Sequence, residues 1–404
     1  MTTALIYDPI FLEHRTPSNH PEKPQRVEMA YKVIEALGWL QREGLVELAP
    51  RDASVDEIAT VHDRSYIQRV KDACQQVAEE TVRSGRSTHF FATDTYVSAK
   101  SYDAAIKAAG AGLTAIDAIM KGEINNAYCL VRPPGHHAMP DEAMGFCLFN
   151  NVAIAARYAI DHYGMERVAI IDYDVHHGNG TQEMFYEDPR VLYFSVHQAP
   201  FYPGTGLSDE LGEGPGLGTT INVPLPAGTG YETYDPLFRL FLAQAIDRFA
   251  PQLILISAGF DAHWCDPIGQ MHLSTTGYAR LTEVIIKSAQ QLCDGRLVMI
   301  QEGGYNLDAM ANCVASCINF LLGDDAAVDN LGQAPEQTFH INTDALLGEL
   351  RRIHHLTGYR LRYGPKPDIE RLRREIKGPD ADEKPHMHDE HDVQNNGKVD
   401  ESQS

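Results

Sequence analysis

The chain has 404 residues, 43% of them hydrophobic, and 34 Lys and Arg against 56 Asp and Glu give it a formal charge of −22. That length supports a large α/β domain with a sizeable core, and the acidic balance excludes a direct grip on nucleic acid while drawing in cationic peptides or polyamines. The seven cysteines (Cys74, Cys129, Cys147, Cys265, Cys293, Cys313, Cys317) contain no Cys-x-x-Cys pair, which excludes a disulfide framework and fits a reduced cytosol. No basic and apolar leader opens the sequence, and no stretch has the apolar length of a membrane span. A cytoplasmic protein that does not engage a membrane is therefore expected.

In chain order, residues 4–7 form a short apolar strand and residues 14–26 a polar loop containing His20-Pro-Glu22-Lys-Pro24-Gln-Arg26. Helical spacing follows over 26–37, 64–80 and the Ala-rich 98–120, so the first third is expected to be helical. From residue 126 the pattern becomes strand, loop, helix, repeated. Apolar runs at 127–131, 168–171, 191–196, 253–256 and 297–300 alternate with helical stretches at 148–163, 231–249, 276–292 and 307–322. That alternation is the signature of a parallel sheet covered by helices on both faces. The Gly- and Pro-rich segment 200–218 is longer than compact domains carry without a functional reason, and is expected on a site rim. Beyond residue 376 almost no large apolar residue remains. A folded domain over 1–376 and an acidic disordered tail over 377–404 are expected, with His386, His388 and His391 solvated.

The chain is organised around Val168-Ala-Ile-Ile-Asp172-Tyr-Asp174-Val-His176-His177-Gly-Asn179-Gly180. Four apolar residues followed by a burst of ionisable ones predict a buried strand that delivers polar side chains at its C-terminal end, where open α/β sheets bind ligands. If extension persists past Asp172, the period of two puts Asp172, Asp174 and His176 on one side. Taken alone, this pattern reads equally well as a turn and a helix cap. Three other strand ends weigh against that reading. Strand 127–131 runs into Arg132-Pro-Pro-Gly135-His136-His137, strand 253–256 into Ser257-Ala-Gly-Phe260-Asp261-Ala-His263, and strand 297–300 into Gln301-Glu302-Gly303-Gly304-Tyr305. Ionisable residues just past four separate apolar runs predict one assembled site.

The chemistry follows from the residue types. Asp174, His176 and Asp261 supply three ligands and leave positions for water and substrate, as catalytic zinc sites do, whereas a closed structural site takes four. Two carboxylates and one imidazole also accept iron(II) or cobalt(II). Beside such a metal, His136 or His137 can take a proton from water. Tyr305, on its Gly-Gly support, can donate to the oxyanion of a tetrahedral intermediate, which points to amide or ester hydrolysis. No G-x-S-x-G elbow, Walker A loop or dinucleotide fingerprint offers another engine.

The motifs Arg132-Pro-Pro-Gly-His-His137, Asp172-Tyr-Asp174-Val-His-His-Gly-Asn-Gly180, Ala258-Gly-Phe-Asp261 and Glu302-Gly-Gly-Tyr305 resemble those of the histone deacetylase superfamily over roughly residues 1–375. Gly-Asn-Gly after the paired histidines, and Glu302 before Gly303, resemble the class II branch with its bacterial deacetylase-like and acetylpolyamine amidohydrolases. The resemblance implies the arginase/deacetylase type of α/β fold, one domain around an eight-stranded parallel sheet flanked by helices, with long loops at the C-terminal strand ends. It implies zinc-dependent removal of acetyl or other acyl groups from lysine side chains. By motif position it implies Asp174, His176 and Asp261 as zinc ligands, Tyr305 as the transition-state tyrosine, and His136 and His137 as the tandem histidines. Phe146, after Gly145, and Tyr202 match the aromatic walls that grip the acyl-lysine stem, with Gly304 alongside in the channel. Tyr202 departs from the usual Phe and should make the channel more polar. Asp172 matches the partner of the first histidine and, with Ser195, contributes to a potassium or sodium site. Asn179 stands where class I enzymes put an Asp, and should hold the second histidine less strongly as a cation. Arg26 resembles the arginine near the floor of the pocket. Ile268, after Asp266-Pro267, corresponds to a rim position that is Glu in the polyamine-selective deacetylase.

Two readings of other classes are disfavoured. An arginase-like dimetal hydrolase needs further carboxylates where Val175 and His177 stand, and a catalytically dead acyl-lysine reader would have lost Tyr305, a tandem histidine or a ligand. Within the enzymes, a deacetylase of acetylpolyamines or other small acetylated amines is the competitor of one acting on acyl-lysine proteins and peptides. Acyl length, the cellular metal and oligomeric state, a homo-oligomer included, stay open from the sequence.

Overall fold

The structure, a computed structural model, describes residues 1–336, 339 and 341–361. The expected tail with its three histidines lies outside the described residues. In chain order the strands are β1 (Thr3–Ile6), β2 (Leu45–Leu48), β3 (Thr88–Ala92), β4 (Thr95–Ser98), β5 (Asn126–Cys129), β6 (Val168–Asp172), β7 (Val191–Gln198), β8 (Thr220–Leu225), β9 (Leu253–Ala258) and β10 (Leu297–Gln301). Eight of them form one sheet in the order β2-β1-β5-β10-β9-β6-β7-β8, with every pairing parallel, and β3 and β4 make a separate antiparallel hairpin.

The interior strands β5, β6, β9 and β10 are buried at every residue, which is why they read as unbroken apolar runs rather than alternating ones. Helices cover both faces. Helix Ser101–Met120 packs on helix Asn151–Tyr163, and its small residues permit the approach: a Cβ on Gly112 would meet the Ala155 methyl and Ile300. Three helices that follow site loops start on side-chain caps, where Asn150, Ser274 and Asn306 accept the N–H groups of Ala153, Gly277 and Ala309. Each cap meets an otherwise unpaired donor and fixes where its loop ends. Those three loops therefore sit between a strand end and a capped helix, whereas the loop after β6 runs into helix Asn179–Phe185 with no side-chain cap.

Three expectations need correction. The first third is not simply helical, because β1, β2 and the β3–β4 hairpin interrupt its helices. Edge strands β2 and β8 escape a search for apolar runs: β2 has only Leu45 fully buried, and β8 contains Pro224, tolerated near an edge where a donor can be spared. The helix expected over 231–249 is helix Tyr231–Leu237, a π turn Phe238–Leu242 and helix Ala243–Phe249. The π turn follows Pro236, whose missing N–H breaks the regular ladder.

Candidate active site

Strand β6 ends at Asp172, and the chain does not stay extended beyond it. Carboxylates bend it instead. Asp174 N–H donates to Asp172 Oδ1 at 3.2 Å, and His176 N–H donates to Asp174 Oδ1 at 2.9 Å. Val175 N–H reaches across to Asp261 Oδ1 at 2.8 Å. The bend turns Asp174 and His176 toward Asp261, so the extended, period-two arrangement expected past Asp172 is not what brings these side chains together.

Asp174, His176 and Asp261 are buried, and one donor atom from each lies within 4.8 Å of the others. His176 Nδ1 is 2.9 Å from Asp174 Oδ1 and 3.2 Å from Asp261 Oδ2. That last oxygen is buried with no hydrogen-bond partner. Gly259 and Gly303 leave the carboxylates their space: a Cβ on Gly259 would strike Asp174, and one on Gly303 would strike both Asp261 and Asp174. Gly303 also donates its N–H to Asp174 Oδ2 at 2.8 Å. Burial pushes the His176 imidazole down, yet Asp174 and Asp261 overrule it and hold it up at about 9. Burial, with Asp174 beside it, raises the Asp261 carboxyl to about 7. Without a cation, protons must neutralise this cluster. A divalent metal would satisfy the same oxygens and nitrogen, so the residues fit one.

The tandem histidines sit in unlike surroundings. His136 Nδ1 is 3.1 Å from Asp172 Oδ2, and its Nε2 is 3.8 Å from Asp174 Oδ1, so both ring nitrogens face carboxylates. Burial disfavours its charge, but Asp174 and then Asp172 outweigh burial and raise it to about 10. His137 Nδ1 is 2.8 Å from Asn179 Oδ1, while Asn179 Nδ2 rests on the sulfurs of Met139 and Met144 at 3.2 and 3.3 Å. An amide oxygen accepts only, so His137 bears its proton on Nδ1 and keeps a lone pair on Nε2. Burial, then the charges of His136 and His176, drive its basicity well below the ordinary value.

Tyr305 closes the site. Burial raises its phenol well above the usual value, so it keeps its proton to donate. Arg26 lies under it, the guanidinium carbon 4.8 Å from the ring centroid, with Nε donating to Gly304 O at 2.6 Å and Nη2 to Glu302 O at 2.5 Å. Arg26, at the end of the polar segment expected as a loop, stands in the first turn of helix Gln25–Ala36 and is fully buried, paired through Glu22 with the equally buried Arg132. The two aromatic residues expected to wall a substrate channel lie beside Tyr305 and His137. Phe146 stands edge-on to Tyr305 at 5.9 Å, and Tyr202 edge-on to His137 at 5.2 Å. Phe146 holds a backbone φ of 69°, rare for a residue with a side chain, and Gly145 before it leaves room for the His137 ring. Gly304, at φ 107°, packs its backbone on Phe260. Ile268 is half-buried on the loop that returns from Asp261. Ser195 pairs with Asp172 across β6 and β7, but its hydroxyl is engaged by His197 Nδ1 at 2.9 Å. The long segment 200–218 is tied to this region by His177, whose ring bonds Thr205 and Gln182.

Sequence reasoning missed two buried carboxylates. Glu302 accepts the N–H groups of Gly135 and His136 at 2.6 and 3.2 Å and the Ser257 hydroxyl at 3.2 Å, clamping the tandem-histidine loop to β10. Asp266 accepts the N–H groups of Tyr305 and Asn306. No local pattern marks these contacts, since Gly135 and His136 lie far in sequence from Glu302, and Tyr305 and Asn306 far from Asp266.

Residues 20–321 match the histone deacetylase domain. The chain belongs to the histone deacetylase family. This deacetylase is 39% identical over 308 residues to a probable deacetylase of Archaeoglobus fulgidus, covering 76% of this chain and 82% of that one. It is 38% identical to the human polyamine deacetylase HDAC10, over 84% of this chain and 50% of that protein. The crystal structure of the HDA15 HD domain superposes with a TM-score of 0.77 at 33% identity, covering 87% of this chain and 94% of that one. The family member is a hydrolytic deacetylase with the arginase/deacetylase fold expected from its motifs. Among its described residues no helix is long and apolar enough to cross a membrane.

Proposed function

We propose that this deacetylase removes acetyl or other acyl groups from lysine side chains of proteins or peptides, with Zn²⁺ held by Asp174, His176 and Asp261. The observation that carries the reading is the buried three-ligand cluster with a neutral imidazole, His137, and a protonated phenol, Tyr305, among its neighbours. When bound, the metal supplies Lewis-acid polarisation of the substrate carbonyl and acidifies water toward a pKa of about 7. Phe146 and Tyr202 hold the acyl-lysine stem and exclude water from around it. His137 takes the water proton on Nε2 as the oxygen adds to the carbonyl carbon, while its Nδ1–H stays on Asn179. Tyr305 donates its hydroxyl to the oxygen on which negative charge develops. His137 then passes its proton to the departing lysine nitrogen, the C–N bond breaks, and a carboxylic acid and a free amine result. His136, hydrogen-bonded to Asp172, stands beside His137 through these steps. A potassium or sodium ion near Asp172 and Ser195 would brace the bend after β6, and iron(II) or cobalt(II) would serve the same ligand set.

The competing substrate class is acetylpolyamines, favoured by the charge of −22 and by the likeness to a polyamine deacetylase. Ile268 argues against it, because an apolar rim residue cannot pair with a distal ammonium. Surface charge is screened beyond about 8 Å at physiological salt, so it speeds encounter without selecting shape. The test is kcat/KM across acetyl-lysine peptides, N-acetylputrescine and N8-acetylspermidine. A preference for the peptide of at least about tenfold is expected, the order of one lost charge contact. Higher kcat/KM on the free polyamines would reverse the assignment.

A further inference from the structure

We propose that Asp266 is a positioning residue for Tyr305, a role that rests on the reading of Tyr305 as oxyanion donor. Asp266 is 8% exposed and makes four backbone hydrogen bonds in two directions. Its Oδ2 accepts the N–H of Tyr305 at 2.6 Å and of Asn306 at 3.1 Å. Its Oδ1 accepts the N–H of Ile268 at 2.9 Å and of Gly269 at 3.3 Å. The second pair belongs to the loop that starts at the metal-cluster residue Asp261 and folds back onto it: a Cβ on Gly269 would run into the Asp261 carbonyl oxygen. One carboxylate therefore joins the Asp261 loop to the backbone of Tyr305.

Tyr305 needs that anchor because of what precedes it. Gly303 and Gly304 carry no side chains, since the cluster carboxylates and Phe260 crowd those positions, so backbone hydrogen bonds rather than side-chain packing fix the segment. Arg26 holds the segment by its carbonyls, those of Glu302 and Gly304. Asp266 holds it by the N–H groups that follow. Charge-assisted bonds of this kind are the stronger class of hydrogen bond, and two of them on consecutive residues fix the plane from which the Tyr305 side chain departs. Asn306 adds a second tie, its side-chain amide donating to Cys265 O at 3.0 Å while its oxygen caps the following helix.

The test is a double-mutant cycle on full-length, metal-loaded protein with an acetyl-lysine peptide, reading kcat, KM and metal content for Asp266→Ala, Tyr305→Phe and the pair. Asp266→Ala is expected to lower kcat by about 10–100-fold, as displacement of a catalytic group by about 1 Å does. KM and metal content should stay near those of the unmodified protein. In the Tyr305→Phe background the same change should cost less than about threefold, because the group it positions is already gone. Losses that multiply, metal loss in Asp266→Ala, or an unchanged kcat each overturn the proposal. If Tyr305→Phe is itself nearly silent, the oxyanion reading fails first and takes the proposal with it. Should Asp266→Ala not fold, Asp266→Asn carries the same cycle: it keeps the volume but leaves an acceptor for only one of the two N–H pairs. It is expected to give a smaller kcat loss that also vanishes without the Tyr305 hydroxyl, and a loss that persists there overturns the proposal.

Discussion

His137 is the most exposed to test of the proposed catalytic residues, because its proton is fixed by a single neutral partner. Asn179 gives Nδ1 an acceptor but no charge, and burial with two neighbouring imidazoles keeps the ring neutral. A general base works only while neutral, so rate falls as pH drops through its pKa. Asn179→Asp places a carboxylate at the same position and should raise that pKa by about one unit or more. The sign follows: the acid limb of the kcat/KM profile is expected to move to higher pH, with metal content unchanged. An unmoved limb would remove His137 from the role of base. Glu302 shows what single residues hide from sequence. It reads there as a class marker, whereas its clamp on Gly135 and His136 spans 167 and 166 positions and leaves no local trace. Glu22 to Arg132, at 110 positions, is the same case.

At the scale of elements, strands buried on both faces were the legible part. β5, β6, β9 and β10 announce themselves as apolar runs, and the ionisable residues after them mark the site. Half-exposed β2, Pro-containing β8 and the β3–β4 hairpin did not, since each gets its pairing from partners rather than from its own pattern. The turn of Asp174 and His176 toward Asp261 was illegible too, being set by hydrogen bonds from backbone to carboxylate. One element carries a pH prediction. His62 sits between two loops, its Nδ1 on Met139 O and its Nε2 accepting the N–H of Asn150, both at 2.9 Å, next to the cap of helix Asn151–Tyr163. Burial lowers it to about 4, and protonation would cost the Asn150 bond. Between about pH 6.5 and 4 the unfolded chain binds this proton and the folded one does not, so stability declines as pH falls, by at most about 1.4 kcal/mol per unit from this group. Urea unfolding at several pH values should show a shallower decline in His62→Gln than in the unmodified protein. Equal slopes would mean that His62 does not titrate as its bonds require.

The molecule as a whole is an anion of formal charge −22, and its field should speed the arrival of cationic acyl-lysine peptides. Raising salt from 0.01 to 0.15 M shortens the screening length from about 30 to about 8 Å. A fall in kcat/KM for a Lys- and Arg-rich peptide is expected over that range, with kcat steady and a neutral peptide little affected. Equal salt dependence for both peptides would show that the net charge steers nothing. The central claim is narrower than this field, and concerns three buried donors from two strand ends. Metal content per chain, measured alongside deacetylation turnover in the unmodified protein and in Asp174→Ala, His176→Ala and Asp261→Ala, tests it most directly. The account predicts one divalent ion per folded chain in the unmodified protein, and a folded, metal-poor, inactive protein from each substitution. Full metal occupancy and turnover in any of the three would contradict it.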